Sequence, residues 1–307
     1  MKSRRRFIKH ASLGAIGFGL FPNQLLANKD MPKITILHTN DMHSHIHPLT
    51  KGKNKGFGGM AERATIVNKI RRENDNVLLL DAGDIFQGTP YYNFYGGELE
   101  FKLMSKLKYD AATLGNHDFD NGLDGLKKQL PFADFPFLCS NYNFTDTTLN
   151  GYFKPYKVFQ KGEIKVGVFG IGIKLEGLVP KQLYKETKYE DPIAASNLYA
   201  KILKKEYKCD LVICLSHLGY YYSNNKVSDT LLAKNTNNID LIIGGHTHTF
   251  LNQPIEISNL NNDKVLIAQA GWAGINIGRI DFIFKRKMMI KNIFGRSIFV
   301  KKNKKLI

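Results

Sequence analysis

A neutral amide, an imidazole and two carboxylates crowd into the run Leu114-Gly115-Asn116-His117-Asp118-Phe119-Asp120, directly after the apolar Ala111-Ala112-Thr113. Asn116 can offer a carbonyl oxygen to a hard or borderline metal ion, and Asp120, three residues past His117, is spaced to orient its ring. Read alone, the run could also be a loop closed by an Asx turn. Four other segments tell against that. Ile34 to Thr39 leads into Asn40-Asp41-Met42-His43, and Val77 to Ala82 into Gly83-Asp84. Leu211 to Leu215 leads into Ser216-His217, and Ile239 to Ile243 into Gly244-Gly245-His246-Thr247-His248. Each reads as a short, β-branched, buried strand that delivers metal-ligand chemistry at its C-terminal end, where α/β sheets present ligands. Asp41 with His43, and His246 with His248, stand at spacing i, i+2, which in extended backbone places both side chains on one face. Of the nine histidines, only His10 lies away from these segments.

The ordered set Asp41-x-His43, Gly83-Asp84, Gly115-Asn116-His117-Asp118, Ser216-His217 and Gly244-Gly245-His246-Thr247-His248 resembles the calcineurin-like metallophosphoesterases over about residues 33–285. The longer forms Leu37-His38-Thr39-Asn40-Asp41 and Asn116-His117-Asp118-Phe119-Asp120 resemble the 5'-nucleotidase branch of that family, with its UDP-sugar hydrolases and 2',3'-cyclic phosphodiesterases. The resemblance implies an α/β fold: a four-layer αββα sandwich, two mixed β-sheets flanked by helices. It implies two divalent ions, with Asp41, His43, Asp84 and His248 at one, Asp84, Asn116, His217 and His246 at the other, and Asp84 bridging. Oxygen and imidazole donors without thiolate suit Mn, Zn, Fe or Co. A hydroxide shared by the ions would attack phosphorus, and His117, held by Asp120, would stabilise phosphoryl charge or protonate the leaving group. His38, His45 and His47 read as supporting or surface groups, Asp81 as a brace for the Asp84 loop, and Asp118 as support for its own turn.

The elements that must position these residues follow from periodicity. Helices are expected over Met60–Glu73, Glu98–Leu107, Leu123–Leu130 and Ile193–Tyr207. Strands are expected at Pro136–Asn141, Ile164–Ile171, Val265–Ala270 and Ile275–Phe284. The Gly58-Gly59 pair reads as a helix entrance, since no P-loop Lys-Ser/Thr follows.

A chain of 307 residues that is 43% hydrophobic fits one large domain. Its net charge of +17 is concentrated at the ends: five basic residues lie in 1–27 and nine in 282–307, neither stretch holding an acid. The body between carries 30 basic against 27 acidic residues and shows no aromatic-interleaved basic motif, so a broad nucleic-acid-binding face has little support in the sequence. Ser3-Arg4-Arg5-Arg6-Phe7-Ile8-Lys9 and the apolar stretch to Leu26 resemble a twin-arginine export signal, which implies periplasmic export without a stable transmembrane anchor. The expected division is a signal at 1–27, the phosphoesterase domain at 28–285, and a basic terminal hairpin or tail at 286–307 whose lysines protect a sheet edge. Cys139, Cys209 and Cys214 read as buried small hydrophobes.

The nucleotidase branch carries a second domain for substrate recognition, and this sequence stops near the catalytic one. The substrate is therefore expected to be a phosphomonoester or nucleotide recognised loosely, or with help from a separate chain that supplies the specificity half. A cyclic phosphodiesterase or UDP-sugar hydrolase would use the same ions. The non-enzyme alternative is a metal-binding assembly subunit of a two-chain nucleotidase.

Overall fold

The computed structural model describes residues 31–285 and 290–301. The export-signal reading of 1–27 and the tail residues 286–289 and 302–307 lie outside these described residues. Two mixed sheets pack face to face. In the first, β1 (Lys33–Thr39), β2 (Val77–Asp81) and β3 (Ala111–Ala112) run parallel; β12 (Asn276–Phe284) pairs antiparallel with β1, and β13 (Ile290–Phe299) pairs antiparallel with β12 as the outer strand. A two-stranded ribbon joins β4 (Tyr142–Asn143) to β7 (Lys188–Tyr189). The second sheet has the order β10-β11-β9-β8-β6-β5, from β5 (Tyr156–Lys161), β6 (Ile164–Ile171), β8 (Leu211–Ser216), β9 (Leu241–Gly244), β10 (Ile255–Ser258) and β11 (Lys264–Ala268). Its inner strands β6, β8, β9 and β11 are parallel.

Strand alternation makes four layers. Ile34, Ile36, Leu78, Leu80, Ile280 and Phe282 face inward against Val166, Val168, Ile213, Leu215 and Ile243 of the other sheet. Leu37, Leu79 and Ala112 point the opposite way, into a core shared with helices α1 (Met60–Glu73), α2 (Pro90–Tyr95), α3 (Glu98–Lys106) and α4 (Gly122–Gln129). Behind the second sheet, Phe169, Val212, Cys214, Ile242 and Ile267 pack near α6 (Pro192–Lys201) and α7 (Asp229–Lys234); α5 is a single turn, Lys181–Tyr184. Burial on both faces explains why the parallel strands read as continuous apolar runs. Three helices start where the sequence supplies a cap: Thr89 before Pro90, Asp191 before Pro192, and Ser228 each accept a backbone N–H of the first turn.

Two expected elements differ. Pro136–Asn141 forms no strand; Phe137 bridges Ala112 and Leu138 bridges Lys154, so the run crosses between neighbours without a continuous ladder. The helix expected over Ile193–Tyr207 is α-helical only to Lys201 and then widens into a π-turn over Ile202–Glu206. Leu203 there lies against Gly167 of β6, where a Cβ would meet its Cδ2 at 2.8 Å. The wider turn fits a leucine onto a bare stretch of sheet. The three cysteines are free and buried.

Candidate metal centre

The loops after β1, β2, β3, β8 and β9 converge at one edge of the two sheets. Carboxylate and imidazole atoms of Asp41, His43 and His248 lie within 4.8 Å of one another, and so do those of Asp84, His217 and His246. Asp84 stands between the two groups: its Oδ2 is 3.1 Å from His217 Nε2 and 3.8 Å from His43 Nε2. Asn116 Oδ1 is 2.8 Å from His246 Nδ1. All seven residues for which a ligand role was expected therefore meet in one place. His117 and Asp120 join them at the rim, with His117 Nδ1 2.9 Å from Asp120 Oδ2 and the His117 ring 5.3 Å from that of His43.

The backbone is bent to achieve this. Asp41, His43, Asp84, His246 and His248 all have positive φ, between 46° and 71°. Left-handed backbone costs a non-glycine residue about 1–2 kcal/mol, and such strain gathers at functional sites where the surroundings hold it in place. The surroundings here are hydrogen bonds. Asp41 N and His43 N donate to the carbonyls of Gly83 and Asp84, and His246 N donates to Asp41 Oδ1. His117 N donates to Asp84 Oδ1 at 2.8 Å. Gly115 is required beside it, since a Cβ there would fall 2.1 Å from the same oxygen.

The donor set fits a cation. His217 Nδ1 lies 2.7 Å from the Ala82 carbonyl, which can only accept, so this nitrogen carries the proton and Nε2 turns its lone pair toward Asp84 Oδ2. Two acceptors face each other in a fully buried spot. His43 repeats the pattern: Nδ1 is 3.3 Å from the Phe86 carbonyl and Nε2 is 2.9 Å from His248 Nε2. Without an ion, protons must take up the mismatch. Burial raises the Asp41 carboxyl to about 8. Burial also opposes charge on His217 and Asp84, yet their mutual attraction outweighs it, pushing His217 up to about 10 and holding Asp84 well below the usual carboxylate range. Burial lowers His43 to about 4 and His246 to about 3, keeping both neutral and available as donors of lone pairs.

Supporting residues complete the centre. Asp118 accepts the backbone N–H groups of Gly115, Asp84, Ile85 and Phe86, at 2.8–3.2 Å, so it ties two ligand loops together and not its own turn alone. Asp81 accepts from Gly83 N and from the Thr39 hydroxyl. His38 is buried between the sheets, His45 meets Trp272 edge-on, and His47 lies against Tyr91. Four supports were not foreseen as such. Asn40 Nδ2 donates to Asp41 Oδ2 and to the Gly271 carbonyl. Gln269 bonds the backbone of Gly245 and Thr249 on either side of the His246-Thr247-His248 turn. Asp229 holds Ser216, and Trp272 stacks on His248 at 5.8 Å. Asn40 stands next to a motif residue and could have been suspected; the other three carry no local signal.

Two face-to-face mixed sheets with this His, Asp and Asn cluster at the strand ends define a calcineurin-like phosphoesterase, and the chain belongs to that family: residues 34–250 match its model, described as calcineurin-like phosphoesterase. Among characterised relatives, the snake venom 5'-nucleotidase of Gloydius brevicauda is 33% identical, aligned over 88% of this chain and 48% of its own length. The 5'-nucleotidase of Vibrio parahaemolyticus is 35% identical over 82% of this chain and 48% of its own. The crystal structure of a 5'-nucleotidase precursor from Thermus thermophilus superposes with a TM-score of 0.78 at 30% identity, covering 88% of this chain and 55% of that one. The chain thus spans about half the length of the curated relatives it matches.

Proposed function

We propose that this protein is a dinuclear metal-dependent phosphoric ester hydrolase of the 5'-nucleotidase type, acting on nucleotides or other phosphomonoesters. The observation that carries the reading is the meeting of two acid-imidazole groups around Asp84, with the His117-Asp120 pair beside them. Asp41, His43 and His248 would hold one divalent ion, His217, His246 and Asn116 the other, and Asp84 both. Bound there, divalent ions supply Lewis acidity toward phosphoryl oxygens and bring the pKa of water to about 7. The chain's own residues do the rest. Asp120 accepts the Nδ1 proton of His117 and fixes the tautomer, so Nε2 is the atom that faces the reacting group. That hydrogen bond raises the proton affinity of His117, which suits it to hold a proton against phosphoryl charge and to release it to the leaving alkoxide. About a third of the His117 side chain is exposed, 36%, so substrate can reach it.

His117→Ala is expected to lower turnover about 10²–10⁴-fold with both ions retained, whereas Asp84→Ala should lose metal as well. Turnover with Mn, Co, Zn and Mg on p-nitrophenyl phosphate, its bis-ester, AMP, a 2',3'-cyclic nucleotide and UDP-glucose, together with metal analysis of each variant, tests this. Preference for the bis-ester, the cyclic nucleotide or UDP-glucose would move the assignment to a diesterase or UDP-sugar hydrolase, and metal binding with no turnover would make it an assembly subunit. Export through the Arg4-Arg5-Arg6 signal belongs to the same proposal and is tested by cell fractionation of an Arg4→Lys, Arg5→Lys variant. Among the described residues no helix is long and apolar enough to cross a membrane.

A further inference from the structure

Asp229 opens helix α7, outside every motif, and reaches the ends of two neighbouring strands. Its side chain is completely buried. Oδ1 accepts the hydroxyl of Ser216 at 2.5 Å, and Ser216 immediately precedes His217. Oδ2 lies against Gly244, two residues before His246; a Cβ on Gly244 would fall 2.1 Å from it. Ser216 and Gly244 are themselves paired across β8 and β9. The backbone N–H of Asp229 donates to the Gly219 carbonyl, which anchors the carboxyl to the loop that follows His217. Oδ2 has no hydrogen-bond partner among the described residues. A buried carboxyl oxygen left without one is costly, so packing this group against a bare glycine needs a return elsewhere.

We infer that Asp229 is the positioning residue for one half of the centre: by gripping the strand ends that carry His217 and His246, it sets the spacing of the Asp84-His217-His246 donors and leaves the Asp41-His43-His248 donors alone. This rests on the reading of those donors as ion ligands. The selectivity follows from topology. His43 and Asp41 follow β1 of the other sheet, and His248 lies beyond the turn held by Gln269; the link back from His246 N to Asp41 Oδ1 ends on a residue whose backbone Gly83 and Ala273 hold independently. Changes to groups that orient metal ligands typically weaken binding about 10–100-fold, and here only one of two ions should feel it.

The test is calorimetric titration of the full-length, metal-stripped protein with MnCl2, with metal content of the same samples checked by elemental analysis. Wild type should take up two ions. Asp229→Ala should bind one ion as wild type does and the second about 10–100-fold more weakly. Asp229→Asn, which keeps the acceptor for Ser216, should recover most of the loss. Ser216→Ala cuts the same link from the other end with little change in volume, and it should weaken the same single ion if Asp229→Ala does not fold. Two ions bound as in wild type by folded Asp229→Ala or by Ser216→Ala, or both ions weakened equally, would overturn the inference. A wild-type protein that binds no divalent ion would instead overturn the proposed function, so the two failures are distinct.

Discussion

His38 is a histidine with no proton to give or take at neutral pH. It is 2% exposed, and burial pulls its imidazole down to about 4 from an ordinary 6.5. Between those values the unfolded chain binds a proton that the folded one refuses, so stability contributed by His38 is present above pH 6.5 and falls as pH drops through the window to about 4. The full loss is about 3 kcal/mol. Urea unfolding of wild type and His38→Gln at pH 7, 5.5 and 4 should show the wild-type stability dropping more steeply by that margin. Parallel curves would mean that water reaches the ring. The residues suited to chemistry were legible in the sequence because Asp, His and Asn are conspicuous at the ends of apolar strands. Asp229, Gln269 and Trp272 were not, because each acts on a loop distant in sequence: Asp229 on Ser216, Gln269 on Gly245, Trp272 on His248.

β12 and β1 meet tightly where they pair side by side. Gly278 pairs with His38, and a Cβ added to it would lie 1.8 Å from His38 Nε2. Gly278→Ala is therefore expected to cost about 1–3 kcal/mol, the usual range for overpacking. Adding His38→Ala opens the space, so the double variant should be more stable than the sum of the two single changes predicts. Additive losses in chemical denaturation would show that β12 shifts and His38 does not. Strand pairing of this kind was only partly readable. The apolar runs of β1, β2, β6, β8 and β9 were plain, and Met60–Glu73 was helical as expected. Pro136–Asn141 looked like a strand because Phe137, Leu138 and Cys139 are apolar, and they are indeed buried. Burial, however, does not require a ladder. The π-turn after Lys201 depends on how Leu203 meets Gly167, which no window of helical periodicity contains.

At the scale of the molecule, the two sheets are joined through the centre as well as through their shared core. Asp41 and Asp84 follow strands of the first sheet, His217 and His246 follow strands of the second, and the 3.1 Å approach of Asp84 to His217 crosses between them. Ions bound there would tie the sheets together in the folded state alone. An ion at one hundred times its dissociation constant adds about 2.7 kcal/mol, so chelator should lower the melting temperature by several degrees and Mn should restore it in proportion to the logarithm of its concentration. Melting that ignores both would show that the sheets hold together without the centre. The recognition of substrate belongs to this scale too: the matched relatives are about twice as long, and the substrate panel measures how much selectivity this portion builds by itself.

The left-handed backbone around the centre has a bearing on what selection can do with this protein. Ala273 is another non-glycine residue with positive φ, 54°, and its N–H donates to the carbonyl of Asp41. Ala273→Gly replaces no candidate ligand, keeps the N–H that bonds Asp41 and relieves that strain, so heat-resistance screening should favour it, with a gain of about 1 kcal/mol measurable in urea. The same change frees the segment that pins Asp41, and turnover should fall as thermal tolerance rises. A directed-evolution campaign rewarded for survival alone would thus drift toward a sturdier and less active molecule, whereas one that alternates heat with a hydrolysis screen should retain alanine there.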